Sequence, residues 1–174
     1  MSVIRIGGAP ALALLIACAP AVVHAHVTLE SREAPAGSYH KVVLRVPHGC
    51  KGSPTLKVRV RVPDGVTGVK AQPKPGWELA TVKGKLAKPV DDGHGGQITE
   101  GVNEVTWSGR LLDEHYDEFV MRVKLPDAPD AVLHWPVVQE CEVGVHRWIE
   151  IPAPGKSADD YPEPAPALRL KARN

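Results

Sequence analysis

The sequence predicts an all-β chain folded as one antiparallel β-sandwich of immunoglobulin or fibronectin type III kind. Three observations carry that reading. Short apolar–polar alternations recur along the chain, turn residues separate them at close intervals, and no window of about eleven residues shows an i, i+3, i+4 apolar pattern. In chain order, a first strand is expected over residues 27–30. Residues 40–46 follow, with Val42, Leu44 and Val46 on one face. Residues 56–62 alternate most cleanly: Leu56, Val58, Val60 and Val62 point one way, and Lys57, Arg59 and Arg61 the other, as a half-buried strand requires. Further strands are expected over residues 66–70, 77–82 and 103–107. In 119–125, Phe119, Met121, Val123 and Leu125 share a face that Pro126 ends. The last two are 131–138 and 145–151. Pro35-Ala36-Gly37, Pro63-Asp64-Gly65, Pro73-Lys74-Pro75-Gly76 and Asp92-Gly93-His94-Gly95-Gly96 supply turns between them. The domain is expected over 26–152. Residues 153–174, with Pro154, Pro162, Pro164 and Pro166, read as an extended or disordered tail.

Residues 1–25 read as a secretory signal peptide. Arg5 marks a basic start, residues 9–19 are apolar, and Val23-His24-Ala25 has the small-x-small form of a signal peptidase site, so cleavage is expected between Ala25 and His26. A competing reading takes Leu15-Ile16-Ala17-Cys18 as a lipobox, with a lipid on Cys18 and His26 left inside the chain. Cleavage after Ala25 gives His26 a free α-amine. That amine and the imidazole Nδ1 can chelate one metal without help from the fold. With pKa values near ~8 and ~6.5, both give up their protons to a metal at neutral pH, and a nitrogen pair suits tetragonal Cu(II) better than calcium or magnesium.

Arg5 is the one basic residue of the leader, so the processed chain keeps 20 of 21 Lys and Arg against 20 Asp and Glu. That balance argues against nucleic acid or an anionic membrane as partner. No second apolar run approaches the ~20 residues of a membrane span. The protein is expected to be exported, to the periplasm or beyond. Of three cysteines, Cys50 and Cys141 remain after processing, and in an oxidising compartment they are expected to form a disulfide. The alternative is a thiolate copper site with His48, two residues before Cys50.

A series of motifs then points to a family. His26-Val27-Thr28-Leu29 follows the signal junction. His48-Gly49-Cys50-Lys51-Gly52-Ser53-Pro54-Thr55, Pro73-Lys74-Pro75-Gly76-Trp77, Glu104-Val105-Thr106-Trp107-Ser108-Gly109, Asp117-Glu118-Phe119 and Pro136-Val137-Val138-Gln139-Glu140-Cys141 come after it in order. Together they resemble the YcnI-like extracytoplasmic copper-binding proteins of bacteria, in their cysteine-containing proteobacterial form. The resemblance implies an immunoglobulin-like sandwich whose processed N-terminal histidine holds Cu(II) in a single-histidine brace. A glutamate adds oxygen and a tryptophan lies beside the metal. Mapped onto this chain these are His26, Glu118 and Trp148.

The residues themselves leave alternatives. Alternation puts Glu118 opposite Phe119, free to reach a metal, yet Asp113, Glu114 and Asp117 offer the same chemistry and a solvated acid needs no ligand. Trp148 shares a face with His146 and Glu150, which suits an indole shielding a metal. The plain alternative is a core tryptophan, the role expected of Trp107 and Trp135. His40 and His134 fall in strands and His94 in a turn; His48, His115 and His146 could contribute a weak second metal site. The Asp92–Gly96 loop lacks the Lys-Ser/Thr of a phosphate loop. A carboxylate as third ligand favours Cu(II) over Cu(I). The function expected is copper acquisition, storage or hand-over to another periplasmic or membrane copper protein, without catalysis. Its rivals are a copper-dependent oxygenase with a second histidine, His146 or His115, and a metal-free envelope or adhesion module.

Overall fold

The computed structural model describes residues 26–173; the expected signal peptide, the expected cleavage position at Ala25 and Cys18 lie outside the described residues. Twelve strands and one 3₁₀ turn follow one another in it: β1 Thr28–Leu29, β2 Glu33–Pro35, β3 Tyr39–Val46, β4 Thr55–Arg61, β5 Thr67–Ala71, β6 Glu78–Asp91, β7 Gln97–Leu111, β8 Asp117–Lys124, β9 Val132–His134, β10 Val137–Cys141, β11 Val145–Trp148, the turn at Ala158–Asp160, and β12 Ala167–Lys171. One sheet runs β1-β3-β8-β5 and a second runs β11-β10-β4-β7-β6. A small third sheet, β2-β12-β9, closes one side.

The core lies between the two larger sheets. Val42, Leu44 and Val46 of β3 with Phe119, Met121 and Val123 of β8 bury one face. Val58 and Val60 of β4, Val105 and Trp107 of β7, and Val137 of β10 supply the other. At its centre the Phe119 ring meets Trp107 at 5.5 Å and Trp77 edge-on at 4.9 Å. Such aromatic pairs add about 0.5–1.5 kcal/mol beyond their buried area. Trp77 lies flat on the backbone of Gly109, where an added Cβ would fall 2.4 Å from the indole, so this position takes no side chain. Trp107 and Trp135 are both core residues, fully buried.

The structure refines the strand reading at particular points. Leu56 is only partly buried while Thr55 is fully buried, because the β4–β7 register slips between Thr55 and Lys57. A bulge of this kind shifts the alternation by one residue. The segment read as one strand over 131–138 is two, β9 and β10, parted at Pro136, which has no N–H to give a ladder. The β6–β7 hairpin is far longer than its apolar content suggested, and its outer half is largely exposed. The glycine-rich loop at its tip is a turn. Asp92 Oδ1 accepts from the backbone N–H groups of His94 and Gly96, and these bonds hold its carboxyl below the usual range.

The largest correction concerns the C-terminal segment. Expected to lie outside the domain, residues 167–171 form β12, antiparallel to β9 and parallel to β2. Leu168 and Leu170 are fully buried. Each such leucine contributes about 1.5–3 kcal/mol of transfer free energy, which with the ladder bonds to β2 and β9 opposes the entropy cost of ordering the strand. The domain therefore extends through Lys171.

Candidate metal centre

His26 and Trp148 meet where the edge strands of the two large sheets come together. Val27 and Leu29 are buried and pin β1 to β3, with Thr28 opposite Arg45 and Leu29 opposite Leu44. His26 stands immediately before this strand and is half-buried. Its imidazole lies 5.5 Å from the indole of Trp148 on β11, with the ring planes tilted by 52°. The edge strand of one sheet thus touches the edge strand of the other through these two side chains.

Trp148 is a buried residue, 3 % exposed, and its indole borders His26. A buried indole N–H needs an acceptor. Gln139 provides it: Trp148 Nε1 donates to Gln139 Oε1 at 3.0 Å. Gln139 is itself fully buried, and its amide nitrogen donates to the backbone oxygen of His48 at 2.7 Å and to Thr55 Oγ1 at 2.8 Å. One amide on β10 therefore fixes the indole, the β4 bulge and the loop carrying His48. The sequence reading passed over Gln139. Its signal was present, a glutamine at an inward position of an otherwise apolar strand.

The Cys50–Cys141 disulfide forms beside this network and joins the His48 loop to the end of β10. Its Cα atoms are 6.0 Å apart across 91 residues of sequence. A loop of that size corresponds to about 4–5 kcal/mol in the chain-entropy model. With both sulfurs bonded to each other, neither is a thiolate ligand.

His146 sits opposite Gln139 in the β10–β11 register and stacks on Trp148, ring centres 4.9 Å apart and planes at 30°. Its Nδ1 lies 2.7 Å from Glu163 Oε1, and the other oxygen of Glu163 accepts the Arg147 N–H at 2.9 Å. Glu163 belongs to the C-terminal segment, which is laced to Glu150 by main-chain bonds and by the Glu163 N–H to the Glu150 carboxylate. His48 approaches His146 from the other side, ring centres 6.4 Å apart at 81°.

Glu118 is placed differently. It faces outward, opposite buried Phe119 as alternation requires, but it lies two strands from β1 and its Oε1 bonds Arg45 Nε at 3.1 Å. Arg45 also pairs with Glu30 at 3.1 Å. Of the neighbouring acids, Asp117 takes the ammonium of Lys74 at 2.6 Å, Glu114 pairs with His115 at 3.7 Å, and Asp113 lies against Gly49. Among the described residues, no three His, Cys, Asp or Glu side chains gather closely enough to hold a metal ion. The structure joins His26 to Trp148 and leaves Glu118 with Arg45. Among the described residues there is also no helix long and apolar enough to cross a membrane.

Comparison with known proteins agrees with the motif series. Residues 26–170 match the family described as a domain of unknown function, DUF1775. The chain is 32 % identical over 117 residues to the copper-binding protein CutI of Bacillus subtilis strain 168; the match covers 66 % of this chain and about half, 49 %, of that protein. A crystal structure of an uncharacterised Nocardia farcinica protein with an immunoglobulin-like fold superposes with a TM-score of 0.62 at 26 % identity, over 84 % of this chain and 99 % of that one. The chain has the immunoglobulin-like sandwich fold, and it belongs to the DUF1775 family, the YcnI-like proteins that its motifs resemble.

Proposed function

We propose that the protein is exported, that its leader is removed after Ala25, and that it then holds one Cu(II) through the α-amine and imidazole of His26. The observation that carries this reading is the seat of His26, the residue at which the family match begins, against the buried and hydrogen-bonded indole of Trp148. A chelating residue at a chain end loses affinity to its own freedom. An indole held by Gln139 restricts the imidazole and screens one side of the ion from water, which strengthens a nitrogen donor set. The CutI relative, named for copper binding, supports the choice of metal. The donor chemistry fits, since amine and imidazole nitrogens prefer Cu(II) to alkaline-earth ions.

On this reading the copper is cargo, taken up, stored or handed on outside the cytoplasm. Glu118 is held by Arg45 through Oε1, two strands from β1, so nitrogen supplies most of the affinity on this reading. The test is intact mass of the exported protein, then Cu(II) titration followed by electron paramagnetic resonance. A mass starting at His26 and one equivalent of type-2 copper, lost in His26→Ala, is expected. A lipidated Cys18, or a His26 start with no tight copper, would remove the reading. Sustained peroxide release from the copper-loaded protein with ascorbate would favour the oxygenase instead.

A further inference from the structure

We infer that the outer face of the β1-β3-β8-β5 sheet carries a phosphate-binding groove, built on Arg122 between Lys41 and Lys70, that takes the phosphomonoester group of a ligand. The groove owes nothing to His26 or to copper.

The three cations are far apart in the sequence, and strand pairing gathers them. Lys41 on β3 is the register partner of Arg122 on β8, and Arg122 is in turn the register partner of Lys70 on β5. Register partners point to the same face with Cβ atoms about 4.5–5.5 Å apart. All three residues are exposed. Like charges set opposite one another in this way cost stability. The other large sheet avoids that cost. On its outer face Lys57 and Arg59 both pair with Glu140, and Arg61 stands opposite Glu104. Among the described residues, Lys41, Lys70 and Arg122 have no ion pair with an acid. An external anion would neutralise such a row.

The surroundings of the row suit an oxyanion. The Arg122 guanidinium carbon lies 3.8 Å from the centre of the Tyr39 ring, and Lys124 Nζ lies 5.0 Å from it. A guanidinium stacked on an aromatic face is held in orientation and presents its N–H edge in plane, where it can hold two oxygens of one group. Lys124 is already bonded to the Gly37 carbonyl and is left out of the row. Tyr39, Gln72 and Val120 join the three cations in lining an open groove of about 370 Å³, toward the lower end of the range for small-ligand sites. The Tyr39 ring and Val120 give it an apolar wall for the organic body of a ligand. A phosphomonoester carries about −1.5 to −2 charge at pH 7 and three acceptor oxygens, so one such group can be shared by a fork and two ammonium groups. A carboxylate brings one charge and two oxygens, too few for three cations.

The experiment is an NMR titration of the metal-free, disulfide-intact protein with inorganic phosphate, at constant ionic strength, with chloride as control. Saturable shifts confined to β3, β5 and β8 are expected. Arg122→Lys keeps the charge and loses the fork, so it should weaken phosphate at least about fivefold. Lys41→Gln and Lys70→Gln should each weaken it several-fold. Because they relieve like-charge opposition, both should also match or exceed wild-type Tm in chloride, and lose most of the rise in Tm that phosphate gives the wild type. Sedimentation with phosphatidate-containing vesicles separates the sources. Capture that free phosphate reverses places the group on a lipid; no capture beside saturable phosphate binding places it on a soluble molecule. Either result supports the site. Shifts that chloride reproduces, wild-type phosphate affinity in Arg122→Lys and Lys41→Gln, or binding of a glutamate-rich peptide with none of phosphate would overturn it.

Discussion

Replacing Gln139 by leucine tests the central structural argument. The two side chains are close in size, so the substitution removes hydrogen bonds while leaving little cavity. In the wild type the amide serves Trp148 Nε1, His48 O and Thr55 Oγ1. Thr55 Oγ1 keeps a weak neighbour in Cys141 Sγ at 3.8 Å, but the indole N–H and the His48 carbonyl lose the bonds that Gln139 gives them. An orphaned buried group costs about 1–3 kcal/mol. The sum is about 2–6 kcal/mol, less about 1 kcal/mol recovered from the more apolar leucine. For a domain of this size each kcal/mol moves Tm by about 2–4 °C, so a fall of roughly 10 °C is expected. The assay is thermal and urea unfolding of the oxidised protein, completed as a double-mutant cycle with Trp148→Phe, which keeps a ring but deletes the N–H. A coupling of about 1–2 kcal/mol is expected between the two sites. A Gln139→Leu protein within 1 kcal/mol of wild type, or strictly additive variants, would show that the amide does not organise this corner, and the reasoning would fail.

Three other outcomes follow from the same structure. Leu168→Ala should cost about 2–5 kcal/mol in urea unfolding, whereas a tail outside the domain would make it neutral. Between about pH 7 and 5 thermal stability should decline, because burial holds the imidazoles of His40 and His134 below their ordinary value. Their contribution is complete above the unfolded pKa near ~6.5 and is lost as pH falls toward the lowered folded values; a His40→Asn, His134→Asn double variant with an unchanged pH slope of Tm would refute this. Finally, Glu118→Gln should change Cu(II) affinity by less than about tenfold while His26→Ala abolishes it, since Glu118 is engaged with Arg45. Equal losses in calorimetric titration would return Glu118 to the coordination sphere.

Much of the sandwich was legible because period-two burial writes itself into sequence. Residues 40–46 and 119–125 alternate as β3 and β8 do, and their apolar faces are the core. The Cys50–Cys141 pairing was expected from the cysteine count and the oxidising compartment that an export signal would imply, and the disulfide is present. Elements whose stability comes from a distant partner were not legible. The strand β2 is three residues long and exists because β12 runs beside it, and β12 was hidden by the prolines preceding it, although Leu168 and Leu170 alternate with charged residues. The bulge at Leu56 depends on Leu111 and Ser108, more than fifty residues away, and nothing local announces it.

The candidate site divides along the same line. The chain alone supplies His26 as a candidate, because the expected signal junction and one chelating residue are both read from local sequence. Nearby sequence also raised the two possible roles of Trp148, without showing that one indole is both buried and set beside His26. Burial of Gln139, the Glu163–His146 bond across 17 residues, the pairing of His48 with His146 and the diversion of Glu118 to Arg45 all required the fold. Local chemistry determines which atoms can bind a metal. Which of them meet, and which are already taken, is a matter of distance between segments far apart in the chain, and only tertiary packing decides it.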